Sequence, residues 1–228
     1  MLFEIIQITL CFSLIDRVLT HYKVQGVYYL LHALHNGLIV AATWPDVVHT
    51  LTDIQHLSHY STNWLAIQLC CALHVYHTAL YWRTFRFDDW LHHGLMIGIA
   101  LPLSSYFETH SLLGMTLFFT TGLPGGIDYT MLALGKNGYM DRMTEKRINA
   151  FLNVWIRSPG CVAVAVLGYA HASPEGSTWQ ALANSVSGLL TFWNGQYFMR
   201  QVVENNITLK IESLKTAEPK AQRPSTIK

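Results

Sequence analysis

Charge is what this sequence has least of. Only 13% of its 228 residues are Asp, Glu, Lys or Arg, against roughly a quarter in soluble domains, so little of the chain is suited to a solvated surface. A basic surplus is missing too. The formal net charge is +1 and aromatics do not interleave with Lys or Arg, which excludes a nucleic-acid surface working by counterion release. The four cysteines, Cys11, Cys70, Cys71 and Cys161, lie inside apolar runs without zinc-type spacing; they read as small buried hydrophobes and exclude a secretory disulfide framework. Met1-Leu2-Phe3-Glu4 has no basic region leading to a small-residue cleavage site, so the first apolar stretch is expected to be retained as a membrane helix. Neither a solenoid-length repeat nor a long low-complexity tract is present. The expected organisation is one domain, 1–205, with a flexible basic tail, 206–228.

What is present is apolar length. Stretches at about 2–19, 24–44, 64–82, 90–106, 111–134, 149–170 and 178–201 mostly approach the roughly 20 residues that span hydrocarbon. They predict an all-α fold: a polytopic transmembrane helical bundle of about seven spans, with a central polar cavity open toward the cytoplasmic side. Lys and Arg supply independent support. Arg17 and Lys23 fall in the first connection, Arg83 and Arg86 in the third, and Lys136, Arg142, Lys146 and Arg147 in the fifth, while the second, fourth and sixth connections contain none. Lys210, Lys215, Lys220, Arg223 and Lys228 follow the last stretch. Seven spans put every one of these cations on one side, as the positive-inside rule requires. Six or eight would not.

Ionisable groups within spans are costly and face a bundle interior or a cavity. At a rise of about 1.5 Å per residue, His77 and His92 each lie about 9 Å from the nearest cytoplasmic arginine, and Asn194 lies at a similar depth. Asp128, His32 and Arg157 lie roughly 12–15 Å from theirs, so six helices bring polar groups to one layer. His32 shares a helical face with His35 and Asn36, His74 with His77, and Asp89 with His92 and His93. An aspartate one turn from a histidine can set its tautomer and raise its basicity, although Asp88 or Asp89 also suits a helix amino terminus. Histidines in bundles also serve as interhelical hydrogen-bonding glue. For Arg157, an ion pair with Asp128 competes with binding of a substrate headgroup. Thr121-Gly122-Leu123-Pro124-Gly125-Gly126 and Ser158-Pro159-Gly160 are expected to interrupt or kink their helices. A cavity there competes with close packing at small residues.

Arg86-Phe-Asp-Asp-Trp-Leu-His-His93, with Pro102-Leu-Ser-Ser-Tyr106, Leu113-Gly114, Gly126-Ile-Asp-Tyr129, Leu152-Asn-Val-Trp155 and Phe192-Trp-Asn194, resembles the TLC-domain family. That family includes ceramide synthases, and the resemblance covers about residues 20–205. Its most specific element is Asp89-x-x-His92-His93. The resemblance implies a reaction centre of Asp89, His92, His93 and Asp128 that moves a fatty acyl group. Acyl-coenzyme A would be a cosubstrate, with no resident cofactor, and the setting would be the endoplasmic reticulum or another endomembrane. His32, His74, His77, Arg157 and Asn194 are the candidate substrate-binding residues. Where ceramide synthases carry His-Asp-x-Ser-Asp, the Gly-rich segment from Thr120 to Asp128 keeps only the final aspartate.

Two readings of other classes stand beside acyl transfer: a noncatalytic lipid sensor or structural subunit of a membrane complex, and a His-ligated membrane metalloenzyme. No metal site is assigned. Zinc on His77, His92, His93 and a carboxylate would match a catalytic set, whereas His56 and His59 fall on the opposite side and cannot join a di-iron site. A retinal protein is excluded because the seventh stretch has no lysine. The expected partner is a membrane lipid or fatty acyl group, with oligomerisation also open.

The one-sided cations place the carboxyl-terminal tail in the cytoplasm and the amino terminus opposite. In sealed vesicles a carboxyl-terminal tag should be protease-sensitive only from the cytoplasmic face. Asn206-Ile207-Thr208 should carry no glycan, and a glycan there would overturn the topology.

Overall fold

The structure, a computed structural model, describes residues 1–106, 110–171 and 178–217. Among them the regular elements are helices, with no strand. Seven long helices correspond to the seven apolar stretches: α1 (Leu2–His21), α2 (Val27–Thr52), α3 (Trp64–Tyr81), α4 (87–106), α5 (111–136), α6 (Arg142–Ala170) and α7 (Thr178–Ala217). Their boundaries follow local chemistry. Gly26 and Gly138 take positive φ in the turns before α2 and after α5, conformations that cost glycine little. Asn63 caps α3 by accepting the Ala66 N–H at 3.1 Å. Asp141 caps α6 by accepting the Thr144 N–H at 2.8 Å, and this bond holds its carboxyl below the usual range. The expected flexible tail is helical as far as Ala217, as a continuation of α7; Lys220, Arg223 and Lys228 lie outside the described residues.

The helices form a ring. α2 contacts α3 and α5, α5 contacts α6, α6 packs along α7, α7 meets α4, and α4 returns to α3. α1 lies outside it against α3 and α2. Three apolar clusters hold the ring: Ile39, Ile67, Leu101 and Leu117 join α2, α3, α4 and α5; Phe12, Leu31 and Leu73 seat α1; Val47, Phe118 and Val164 join α2, α5 and α6. Asp16 also anchors α1, because its buried carboxylate accepts the Tyr76 hydroxyl at 2.5 Å and the Tyr81 hydroxyl at 2.6 Å, both from the α3 side.

The expected interruptions do not occur, although the backbone leaves α geometry at both places. α4, α5 and α6 stay continuous but widen to π-helical turns at His93–Ala100, Phe118–Gly122 and Asn153–Arg157. Each wide run ends two residues before a proline, Pro102, Pro124 or Pro159. Proline removes a donor and crowds the carbonyl four residues earlier. A wider turn absorbs that conflict without severing the helix. The neighbouring glycines serve close packing. A Cβ at Gly125 would stand 2.7 Å from the Asn36 amide nitrogen, one at Gly195 2.6 Å from Cys161, and one at Gly160 would overlap the Phe119 ring.

Gly160→Ala should therefore cost about 1–3 kcal/mol by overpacking, read as a lowered unfolding temperature. Gly37→Ala, where a Cβ meets nothing within 4 Å, should be neutral or stabilise by about 0.5–1 kcal/mol. Equal responses at the two positions would contradict the close α5–α6 contact.

Candidate functional site

The basic end of the bundle is the end carrying Lys23, Arg83, Arg86, Lys136 and Arg142. Beneath it, inside the ring, lies a cavity of about 140 Å³. Five histidines converge on it from three helices: His32 from α2, His74 and His77 from α3, and His92 and His93 from α4. The deeper wall is apolar, with Leu73, Met96, Ile97, Leu101, Leu113 and Leu117, and Thr116, Thr120, Thr121 and Thr191 line its sides. A second, wider space of about 530 Å³ opens at the basic end. Tyr28, His77, Asp89 and Tyr129 line both, so these four side chains stand where the vestibule meets the inner cavity. Alone, the inner cavity falls below the roughly 300–1,000 Å³ of ordinary ligand sites; the vestibule lies within that range.

Tautomers follow from the fixed acceptors. The Nδ1–H groups of His32 and His74 donate to the Tyr28 and Cys70 carbonyls, each at 2.7 Å. A neutral His74 thus presents Nε2 as an acceptor, and His92 Nε2 lies 3.4 Å away. His92 is then the donor and keeps its lone pair on Nδ1, a buried atom without a protein hydrogen-bond partner. His93 Nδ1 is 3.2 Å from the Thr78 hydroxyl, and its ring centroid is 5.6 Å from that of His77. His32 packs between Tyr28 at 4.1 Å and Tyr129 at 4.6 Å. The three layers, Tyr28–Tyr129, His32–His77 and His93–His74–His92, run from vestibule to interior.

Several expectations change. Asp89 does not orient a histidine by hydrogen bonding: one carboxylate oxygen accepts the Arg86 backbone N–H at 2.8 Å and starts α4, while Thr78 contacts His93. The Asp128–Arg157 ion pair does not form, since no contact between them falls within 4.0 Å and the four ion pairs among the described residues lie elsewhere. The widened turn at Asn153–Arg157 carries Arg157 toward α7, where it donates to Asn194 Oδ1 at 2.8 Å and lies 4.9 Å above the Phe198 ring. Asp128 faces the vestibule instead of the inner cavity. Arg157 and Asn194 are absent from both linings, although His92 reaches the other side of Phe198 at 6.0 Å. Asn36 turns into the α2–α5 seam, where its Oδ1 accepts from His35 at 2.9 Å and from Thr121 at 3.0 Å, while the His35 ring lies 6.0 Å from that of Phe12 on α1.

Tyr28, Tyr129, Thr78 and the threonines of α5 escaped the sequence reading. Tyr28 precedes His32 by four residues and Tyr129 follows Asp128, so helical spacing from known candidates could have found both. Among the described residues no group of three or more His, Cys, Asp or Glu side chains is placed to hold a metal ion. No family model matches the chain, nor does any curated protein or solved structure.

Arg157 and Asn194 should be energetically coupled. Asn194→Leu leaves a buried guanidinium without its acceptor, so a cycle with Arg157→Met should show a coupling of roughly 0.5–3 kcal/mol. Additive losses in thermal unfolding would argue against the pair.

Proposed function

We propose that this chain is a polytopic membrane protein that binds a lipid or fatty acyl chain in the histidine-lined cavity and acts in lipid metabolism or membrane lipid homeostasis. The observation that carries the reading is the cavity's polarity, with five histidines toward the basic end and an aliphatic wall beyond them. An amphiphile matches that gradient, its polar or reactive carbonyl end among the imidazoles and its chain against Leu101, Leu113 and Leu117.

The bundle surface supports the membrane setting. Large apolar side chains are exposed along the middle of the helices, among them Leu10, Leu38, Val75, Ile99, Val166 and Leu189, more than a water-facing monomer tolerates. Exposed aromatics gather at the helix ends. Tyr22, Trp82, Trp90 and Tyr139 mark the basic end, and Trp44, Trp64, Tyr106, Tyr169 and Trp179 the other, the arrangement of interfacial belts. One helix among the described residues, Arg142–Ala170, is long and apolar enough by itself to cross a membrane, with a mean hydropathy of 1.5. In α1 and α2, several polar residues that lower the average, Asp16, His32, His35, Asn36 and Asp46, are buried inside the bundle. The lipid-facing surface is therefore more apolar than the sequence average.

In the catalytic version, His93 is the better-placed base or acyl acceptor. It borders the cavity, and apart from Thr78 no protein group hydrogen-bonds its ring. His77 faces it from the vestibule side. His92 and His74 are mutually engaged and hold the layer behind. This agrees with the paired histidines of the TLC resemblance while assigning them unequal roles. A noncatalytic lipid sensor is the second reading, favoured by the internal bonding of His74 with His92 and of Arg157 with Asn194.

Lipid extracted from the purified protein should contain a defined acyl species. His93→Gln should lower turnover about 10²-fold or more, and cells carrying it in place of the wild type should show the acyl-lipid profile of a deletion. The same variant should fold and keep its bound lipid. An unchanged profile in well-folded His93→Gln and in the His92/His93 double variant would leave only the sensor reading, and absence of any copurifying lipid would overturn both.

A further inference from the structure

At the end opposite the basic loops, α2, the 53–63 connection and the start of α3 enclose a separate cavity of about 340 Å³, walled by Asp46, His49, Tyr60, Thr62 and Trp64. We propose that it is a binding site for an organic ammonium group, such as the quaternary ammonium of a choline headgroup or of a free amine. It shares no residue with the histidine cavity and does not depend on the function proposed for that cavity.

Three features define the ligand. Asp46 is a buried carboxylate, 6% exposed. Its hydrogen bond comes from the Asn63 amide at 2.7 Å, and that amide also holds the Ala42 carbonyl at 2.7 Å, in the turn that Pro45 loosens. Among the described residues no cationic side chain forms an ion pair with it within 4.0 Å. Nor can the chain easily supply one, because there is no Lys or Arg between Lys23 and Arg83, or between Arg86 and Lys136. An ionised carboxylate is costly to bury unless a cation sits beside it, so a cation entering this cavity stabilises the charged form of Asp46 and is held by it in return. His49 is the one ionisable base in the wall. It stacks flat on Tyr60 at 4.1 Å and 15°, and although it is near enough to act on the Asp46 charge, no hydrogen bond or ion pair joins the two.

The walls favour an organic cation over a metal ion. The His49–Tyr60 stack and Trp64 offer aromatic faces, which attract ammonium groups through the ring quadrupole, while no cluster of three metal-ligating side chains exists among the described residues. Thr62 adds a polar contact: it is 8% exposed and its hydroxyl oxygen is buried without a hydrogen-bond partner. Tyr60 itself is fixed, since its hydroxyl donates to Asp53 at 3.0 Å and its carbonyl accepts from His110 at 2.8 Å. Asp53 in turn holds His56 at 2.7 Å, and these bonds, that to His56 foremost, keep its carboxyl below the usual range. The aromatic face is thus preorganised by groups outside the cavity.

Calorimetric titration of the full chain in a maltoside micelle, which contains no ammonium group, tests the site with choline, tetramethylammonium and the neutral isostere of choline in which carbon replaces the nitrogen. Both cations should bind saturably, and the isostere should bind weaker by about tenfold or more. Asp46→Asn should weaken choline by a similar factor. Tyr60→Leu, at the half-buried rim, supplies the same test should Asp46→Asn fail to fold. Equal binding of choline and its isostere, absence of binding by either cation, or unchanged choline affinity in folded Tyr60→Leu would each overturn the proposal. Short-chain phosphatidylcholine separates the sources: tighter binding than free choline assigns the site to a lipid headgroup, and equal or weaker binding assigns it to a soluble amine.

Discussion

A polar side chain carried into an apolar bundle has to find its partner there, and this requirement shapes the protein from α1 to α7. Net gains from such bonds are small, but leaving one unmade costs about 1–3 kcal/mol. Several buried polar groups accordingly meet across helices: Asp16 with Tyr76 and Tyr81, Asn36 with Thr121, Thr50 with Ser111, Arg157 with Asn194, and His74 with His92. Each set joins helices whose apolar contacts alone would tolerate sliding, and together they specify the ring.

Backbone constraint works beside that bonding. Pro102, Pro124 and Pro159 stand at corresponding places in three successive helices, and each is preceded by a widened turn. Such a turn rotates the residues on its two sides relative to an ideal helix. His93, Thr120 and Thr121 lie within two of these turns and line the cavity, while Arg157, at the end of the third, reaches Asn194. Glycines at 125, 160 and 195 let α5 approach α2, α6 approach α5 and α7 approach α6 until side chains of the neighbours stand where a Cβ would be. Proline and glycine here are devices of packing and aim.

The two ends of the bundle are built for different chemistry. The basic end opens on a vestibule that narrows to imidazoles and then to aliphatic side chains, the polarity on which the proposed amphiphile site rests. The opposite end has an acidic, aromatic pocket in a stretch of chain free of Lys and Arg. The asymmetry from which the positive-inside rule would read an orientation also leaves Asp46 without a Lys or Arg near it in the chain. One distribution of cations thus bears on orientation and on the ligand proposed for the far end.

The sequence by itself determined the number and approximate place of the helices, because apolar length is a local property of the chain, and it pointed to the histidines of α2, α3 and α4, because depth along a helix can be counted from the nearest charge. Of the six residues so counted, His32, His77 and His92 meet at the inner cavity together with His74 and His93, whereas Arg157 and Asn194 stand outside it. Only the tertiary structure decided the partners. Helical spacing allows Asp89 to cap its own helix without choosing that role over a histidine, and it cannot reveal that Asp128 turns to the vestibule or that Arg157 reaches Asn194. Nor could it show Asp16, one of the charges that weaken α1 as an apolar stretch, fastening that helix to α3. These choices depend on rotation about each helix axis and on which neighbour packs alongside. Those are set by contacts between residues distant in the chain, such as Asp16 with Tyr76 and Tyr81 or Arg157 with Asn194, whose proximity no local pattern encodes.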